Sequence, residues 1–187
     1  MTRAERERML QAVLYFTQNT KDAAAMKVFK LLYLLDVKHF QATGRSVTGL
    51  QYSAHNGGPS PDDLGAELVS PRKDLAQLVR VGTSVVGGKD RHMLTSVARK
   101  GALDLEVFSP RQFDLLDLLS KAYEKATPEE IQVEQEDNGA LANALAAGKG
   151  RAIDLSESLP ETDPDRHHKL AVASEYDRRS AYLRAVA

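Results

Sequence analysis

Residues 26–61 read MKVFKLLYLLDVKHFQATGRSVTGLQYSAHNGGPSP, and this stretch decides the fold. Its first half predicts a helix over 23–42, with Asp22 placed to cap its start and Gly44 to stop it. At about 100° per residue, Phe29, Leu32, Tyr33, Asp36, Val37 and Phe40 share one broad face, opposite Lys27, Lys30, Lys38 and Gln41. Asp36 interrupts the apolar face. A carboxylate there must find donors, because burying it unpaired costs several kcal/mol. The expectation is a structural acceptor that takes hydrogen bonds from a loop backbone or a basic side chain and ties the helix to the corner downstream. No second carboxylate or nucleophile stands at a spacing that would build an acid–base pair with it.

Past Gly44, the positions Val47, Leu50, Tyr52 and Ala54 predict a short strand within 47–55. Asn56-Gly57-Gly58-Pro59-Ser60-Pro61 can continue neither strand nor helix, since glycine permits positive φ while proline fixes φ and removes a donor. No Lys-Ser/Thr follows the glycine pair, so it reads as a rigid corner and not a phosphate loop.

Working outward, residues 3–18 predict a first helix behind a charged opening turn. Short helices over 62–68 and 74–79 are separated by Pro71, and strands over 81–86 and 92–95 are joined through Gly87-Gly88. Ser109-Pro110 opens a helix through Phe113, Leu115, Leu116, Leu118, Leu119 and Tyr123, and Thr127-Pro128 opens another by the same capping logic. Residues 140–147 predict a short helix that ends at Gly148. The acidic, proline-containing run over 154–165 reads as a linker. An amphipathic tail helix over 165–186 follows, carrying Leu170, Ala173, Tyr176, Leu183 and Val186, to dock on this domain or on a partner. The expected fold is mainly α (α+β): a compact helical domain over 1–155 with a small two- to three-stranded β-element, then a linker and helix over 156–187.

Composition narrows function mostly by exclusion. In 187 residues, 42% are hydrophobic and 27% charged, enough apolar side chain for one core. The net charge of −1 gives no overall pull toward nucleic acid or anionic membrane. With no cysteine there is neither a disulfide framework nor a thiolate metal cage. The apolar run over 28–40 is broken by Lys30, Asp36, Lys38 and His39, so no membrane span is expected, and residues 1–10 hold no apolar run of signal-peptide length. A cytoplasmic protein without membrane association is the expectation.

The segment Lys27–Pro61 resembles the signature of the Panacea domain family, which comprises SocA-like antitoxins and related phage-associated proteins. The matching elements are Lys30-Leu31-Leu32-Tyr33, Asp36, His39, Gly44-Arg45, Tyr52, Ala54 and Gly58-Pro59-Ser60-Pro61, in that order. Lys30, Tyr33, Asp36, His39, Arg45, Tyr52, Gly58, Pro59 and Pro61 are therefore the motif positions, with structural roles expected and the partner-binding residues unassigned. The family pattern often places a His, commonly followed by Trp, after the Thr-Pro-Glu-Glu turn; here the chain reads Glu134-Gln135-Glu136-Asp137. The resemblance implies a non-enzymatic, cofactor-free antitoxin that binds and neutralises a cognate protein toxin, with delivery of that toxin to a ClpXP-type protease as one variant.

Two alternatives compete. A metal-dependent enzyme would draw on His39, His55, His92, His167 and His168 with Asp36, yet no two histidines stand at the i, i+4 spacing of a helical metal site. A DNA-binding autoregulator would need a basic recognition face, for which Lys27/Lys30/Lys38 and the arginines over 178–184 are the candidates. A prophage or mobile-element accessory role is the remaining alternative.

Overall fold

Helix α2 (Ala25–Thr43) is the axis around which the other elements are laid. The structure, a computed structural model, describes residues 1–86, 88–133 and 137–185. Gly87 of the expected hairpin turn, residues 134–136 and Val186 lie outside the described residues. In chain order the elements are α1 (Arg3–Asn19), α2, β1 (Ser53–His55), β2 (Gly58–Ser60), α3 (Asp62–Val69), α4 (Lys73–Ala76), β3 (Val79–Val86), β4 (Lys89–Ser96), α5 (Pro110–Ala122), α6 (Ala140–Ala147) and α7 (Arg166–Ala185). Short 3-10 turns lie at Pro128–Glu130 and Leu155–Ser158. The mainly helical expectation with a small β-element holds.

α1, α2 and α5 pack on one another, and Val13, Phe16, Leu31, Leu35, Leu116 and Leu119 supply much of the shared core. The β-structure consists of two separate antiparallel hairpins, β1–β2 and β3–β4. The first lies on α2, with residues 150–153 running beside β1 through Ala54 N–H to Arg151 O (2.8 Å) and Ile153 N–H to Tyr52 O (2.8 Å). The second is longer than the 81–86 and 92–95 expected and is tied at its base by Leu94 N–H to Ala23 O (2.8 Å). No helix among the described residues is long and apolar enough to cross a membrane.

Local signals set several boundaries. Ser109 caps α5, with Gln112 reciprocating in a capping box and Pro110 in the first turn. Gly44 ends α2 in the left-handed conformation (φ 73°), and its hydrogen side faces the backbone of α7, so that a Cβ there would collide with the Lys169 carbonyl.

Four expectations need correction. Asp22 does not cap α2: it sits at φ 49°, and Ala24 is the N-cap, because residues 23–24 pair with the edge of β4. Most of 47–55 is not strand, since the Val47 and Thr48 amides are engaged by Asp36 and only Ser53–His55 pairs. Thr127 forms its capping box with Glu130 but leads into a 3-10 turn, because Lys30 takes the Pro128 and Ile131 carbonyls that a longer helix would use. Residues 155–158 form a 3-10 turn packed on α2 and α6, with Ser158 and Leu159 buried.

Candidate functional site

Five of the polar residues of α2 follow one another at intervals of three: Lys27, Lys30, Tyr33, Asp36 and His39. Each step of three rotates the side chain by about 300°, so the row winds slowly around the helix and meets a different neighbour at each position. Lys27 donates its ammonium to Lys21 O (2.7 Å) and Glu124 O (3.1 Å). Lys30 donates to Pro128 O (2.9 Å) and Ile131 O (3.0 Å). Tyr33 donates its hydroxyl to Asp137 Oδ2 (2.9 Å), and that carboxylate also accepts from Leu141 N–H (2.9 Å) at the start of α6. His39 Nδ1 lies 2.7 Å from Arg45 O, which accepts from it. The helix is buried on nearly every side, and the basic face expected at Lys27 and Lys30 does not exist as a solvated surface: Lys27 is 0% exposed and Lys30 8%.

Asp36 is the centre of this row. It is 0% exposed, as are Leu35 and Val37 beside it. Its Oδ1 accepts from Val47 N–H (2.6 Å) and Thr48 N–H (2.8 Å), and its Oδ2 from the hydroxyls of Thr48 and Tyr52, the latter at 2.7 Å. Four donors therefore surround one carboxylate. Burial pushes its pKa upward, and the donors from Thr48, Tyr52 and Val47 pull it back only in part. Burial and the adjacent Asp36 charge hold the Tyr52 hydroxyl well above the ordinary tyrosine range. The Tyr52 ring meets Tyr33 edge to face at 5.1 Å, joining two of the anchors directly.

Asp36 thus binds the 47–52 loop, not the Gly58–Pro61 corner as expected. Lys30 supports that corner instead. Gly58 has φ 120°, and a Cβ on it would stand 2.7 Å from Lys30 Cε, so the corner rests on the lysine stem where only glycine fits. Pro59 pairs with Ala54 across the β1–β2 hairpin, and Pro61 sets the extended residue before α3.

Arg45 differs from the rest by standing on the surface, and the buried His39 by bordering a cleft. Arg45 is exposed and its guanidinium stands 5.2 Å from the centroid of the Tyr176 ring on α7. Tyr176 also donates its hydroxyl to Glu5 Oε1 (2.9 Å). Burial raises the Glu5 carboxyl, but the donors from Thr2 and Tyr176 outweigh it and bring the group below its usual value. Two clefts of about 690 and 660 Å³ run along α7, both bordered by Arg45 and Tyr176.

Sequence reasoning missed Lys27, Thr48, Asp137 and Glu5 as buried anchors. Glu5 and Asp137 stand in charged runs that look solvated, while Lys27 looks like an ordinary surface lysine. Only Thr48 carried a usable signal, as a hydroxyl next to the loop expected to satisfy Asp36. Among the described residues no group of three or more His, Asp or Glu side chains is arranged to hold a metal ion.

The profile of the antitoxin SocA-like Panacea domain family matches residues 28–133, more than half the chain. The chain belongs to this family. No curated protein and no solved structure matches it significantly. The Panacea match begins inside α2, ends just after the carbonyls held by Lys30, and contains all nine motif positions. The helices α1, α6 and α7 lie outside it.

Proposed function

We propose that the protein is the antitoxin of a toxin–antitoxin pair and neutralises a cognate protein toxin by binding it directly in the cytoplasm. The observation that carries this reading is the Panacea family match, whose profile is that of SocA-like antitoxins. The placement of the motif supports it. Lys30, Tyr33, Asp36 and Tyr52 are engaged by partners inside the chain, so the family's polar signature serves the scaffold and leaves recognition to the exterior. Enclosure of Asp36 at 0% exposure speaks against its use on a substrate, and burial of Lys27 and Lys30 removes most of the helix face that an operator-binding regulator would use.

Induction of the neighbouring reading frame alone should arrest growth, and co-induction of this protein should restore it. A harmless neighbour, or arrest that persists despite soluble protein, refutes the reading. Delivery to a ClpXP-type protease is the second route. The last turns of α7, where Tyr182 and Leu183 are 68% and 53% exposed, support it by presenting apolar side chains to a partner. In that case the toxin's half-life falls when this protein is present and recovers when the protease is deleted; for simple masking it does not change.

A further inference from the structure

Among the described residues, the wall of the cleft of about 690 Å³ between α7 and the beginnings of α1 and α5 has no acidic residue. Arg8 enters from α1, His39 from α2, Arg45 from the loop behind it and Arg179 from α7. Arg8 donates Nε to Val47 O (2.7 Å), which fixes the guanidinium without neutralising it. Arg45 lies over Tyr176, and among the described residues neither it nor Arg8 makes an ion pair. Arg179 is held by Glu175 (2.7 Å). Arg111, exposed on the first turn of α5, adds its charge from outside the wall.

His39 gives the cleft a built centre. It is 94% buried by its 6% exposure, its Nδ1 is committed to Arg45 O, and its Nε2 has no partner among the described residues. Burial, and then the charges of Arg111, Arg8 and Arg45, hold its pKa below the ordinary value. Like charges facing one buried imidazole disfavour each other unless an anion sits among them. Ser109 and Gln112 in the wall belong to the N-terminal turn of α5, whose dipole also favours negative charge here, while the start of α1 at Thr2 already holds the Glu5 carboxylate.

We propose that this cleft is a binding site for the phosphate group of a small phosphorylated molecule, held by Arg8 and Arg45 and by His39, whose Nε2 takes up a proton as the anion binds, with Arg111 adding to the field. Donors reach the cleft from four separate parts of the chain. That arrangement suits a tetrahedral dianion better than a planar carboxylate, which one arginine satisfies side-on. The cleft's size is that of a small-molecule site, and its apolar border at Val172 and Leu183 gives the remainder of such a ligand a surface to cover. The site is independent of the antitoxin reading.

Calorimetric titration of the full chain with inorganic phosphate and with pyrophosphate, at ionic strength held constant with sodium chloride, tests it. The wild type should bind both, pyrophosphate more tightly. Arg111→Gln, at an exposed residue without a hydrogen bond or ion pair among the described residues, and Arg45→Gln should each weaken pyrophosphate by about tenfold or more. Arg99→Gln, at an exposed arginine elsewhere, should leave it unchanged. No binding by the wild type, or an equal loss in Arg99→Gln, overturns the proposal. So does a fluorescent single-stranded oligonucleotide that binds when pyrophosphate does not, since the site would then serve a nucleic acid. An unchanged melting temperature of Arg111→Gln keeps misfolding out of the comparison. No toxin enters the measurement, so its failure is distinct from failure of the co-expression test.

Discussion

Replacing Asp36 by alanine removes the acceptor shared by Val47 N–H, Thr48 N–H, the Thr48 hydroxyl and the Tyr52 hydroxyl, all within a fully buried site. A buried donor left without a partner costs about 1–3 kcal/mol. Four such costs do not add in full, because the variant also loses the burden of a buried carboxylate and gains the better helix former. The expected net loss is about 3–5 kcal/mol, typical of removing one member of a buried charged network. For a chain of this length that lowers the melting temperature by roughly 6–20 °C. Asp36→Asn should lose about half as much, because its oxygen still serves the two amides and both hydroxyls can turn to accept from its NH₂. Thermal and urea unfolding followed by circular dichroism give the ordering. Hydrogen exchange gives the location: in Asp36→Ala the Val47 and Thr48 amides should exchange far faster while those of α5 keep their relative order. An alanine variant that melts within about 2 °C of wild type, or unchanged exchange at 47–48, refutes the account of Asp36 as the anchor of this loop.

Three further outcomes follow from the same wiring. Lys30→Met leaves the Pro128 and Ile131 carbonyls without their donor and should cost about 2 kcal/mol in urea unfolding, with exchange rising first over 127–131. Gly44→Ala combines a left-handed φ of 73° with a clash on the Lys169 carbonyl, so it should free α7 to limited proteolysis while lowering core stability by only about 1 kcal/mol. His39, flanked by Arg8, Arg45 and Arg111, has a folded pKa depressed below its unfolded value. Its contribution is therefore full above the unfolded pKa and is lost as pH falls toward the folded one. The urea midpoint should drop as pH falls below about 6.5, the ordinary histidine value, and His39→Gln should flatten that drop. A slope the variant leaves untouched would show that other groups cause it.

The elements governed by local chemistry were legible in the sequence. Ser109-Pro110 marked the start of α5, Gly44 the end of α2, and Gly88 the approach to β4. What sequence could not show is that α2 is covered on its second side as well. Periodicity separates an apolar face from a polar one, but it treats any lysine on the polar face as solvated. Lys30 violates that rule because its partners come from about a hundred positions later in the chain, at Pro128 and Ile131, and Lys27 because Glu124 closes over it while its ammonium also turns back to Lys21 O. Asp36 was legible for the opposite reason: its donors lie only 11 to 16 residues away. The arginine-lined cleft was the least legible feature. Its walls join residues near position 8, positions 39–45 and α7, and no local pattern relates them.

Those long separations also set an order of assembly. Lys27, Lys30 and Tyr33 find their partners at distances of 97, 98, 101 and 104 residues. During synthesis α2 emerges early; Lys27 already has the Lys21 carbonyl six residues before it, whereas Lys30 and Tyr33 meet their acceptors in the chain only after residues 128–137 have left the ribosome. A chain interrupted before that point carries an apolar helix with open polar sites along it, a form prone to association. The late segment therefore supplies the last acceptors to α2, and the row of polar residues along the helix is complete only once Asp137 has met Tyr33.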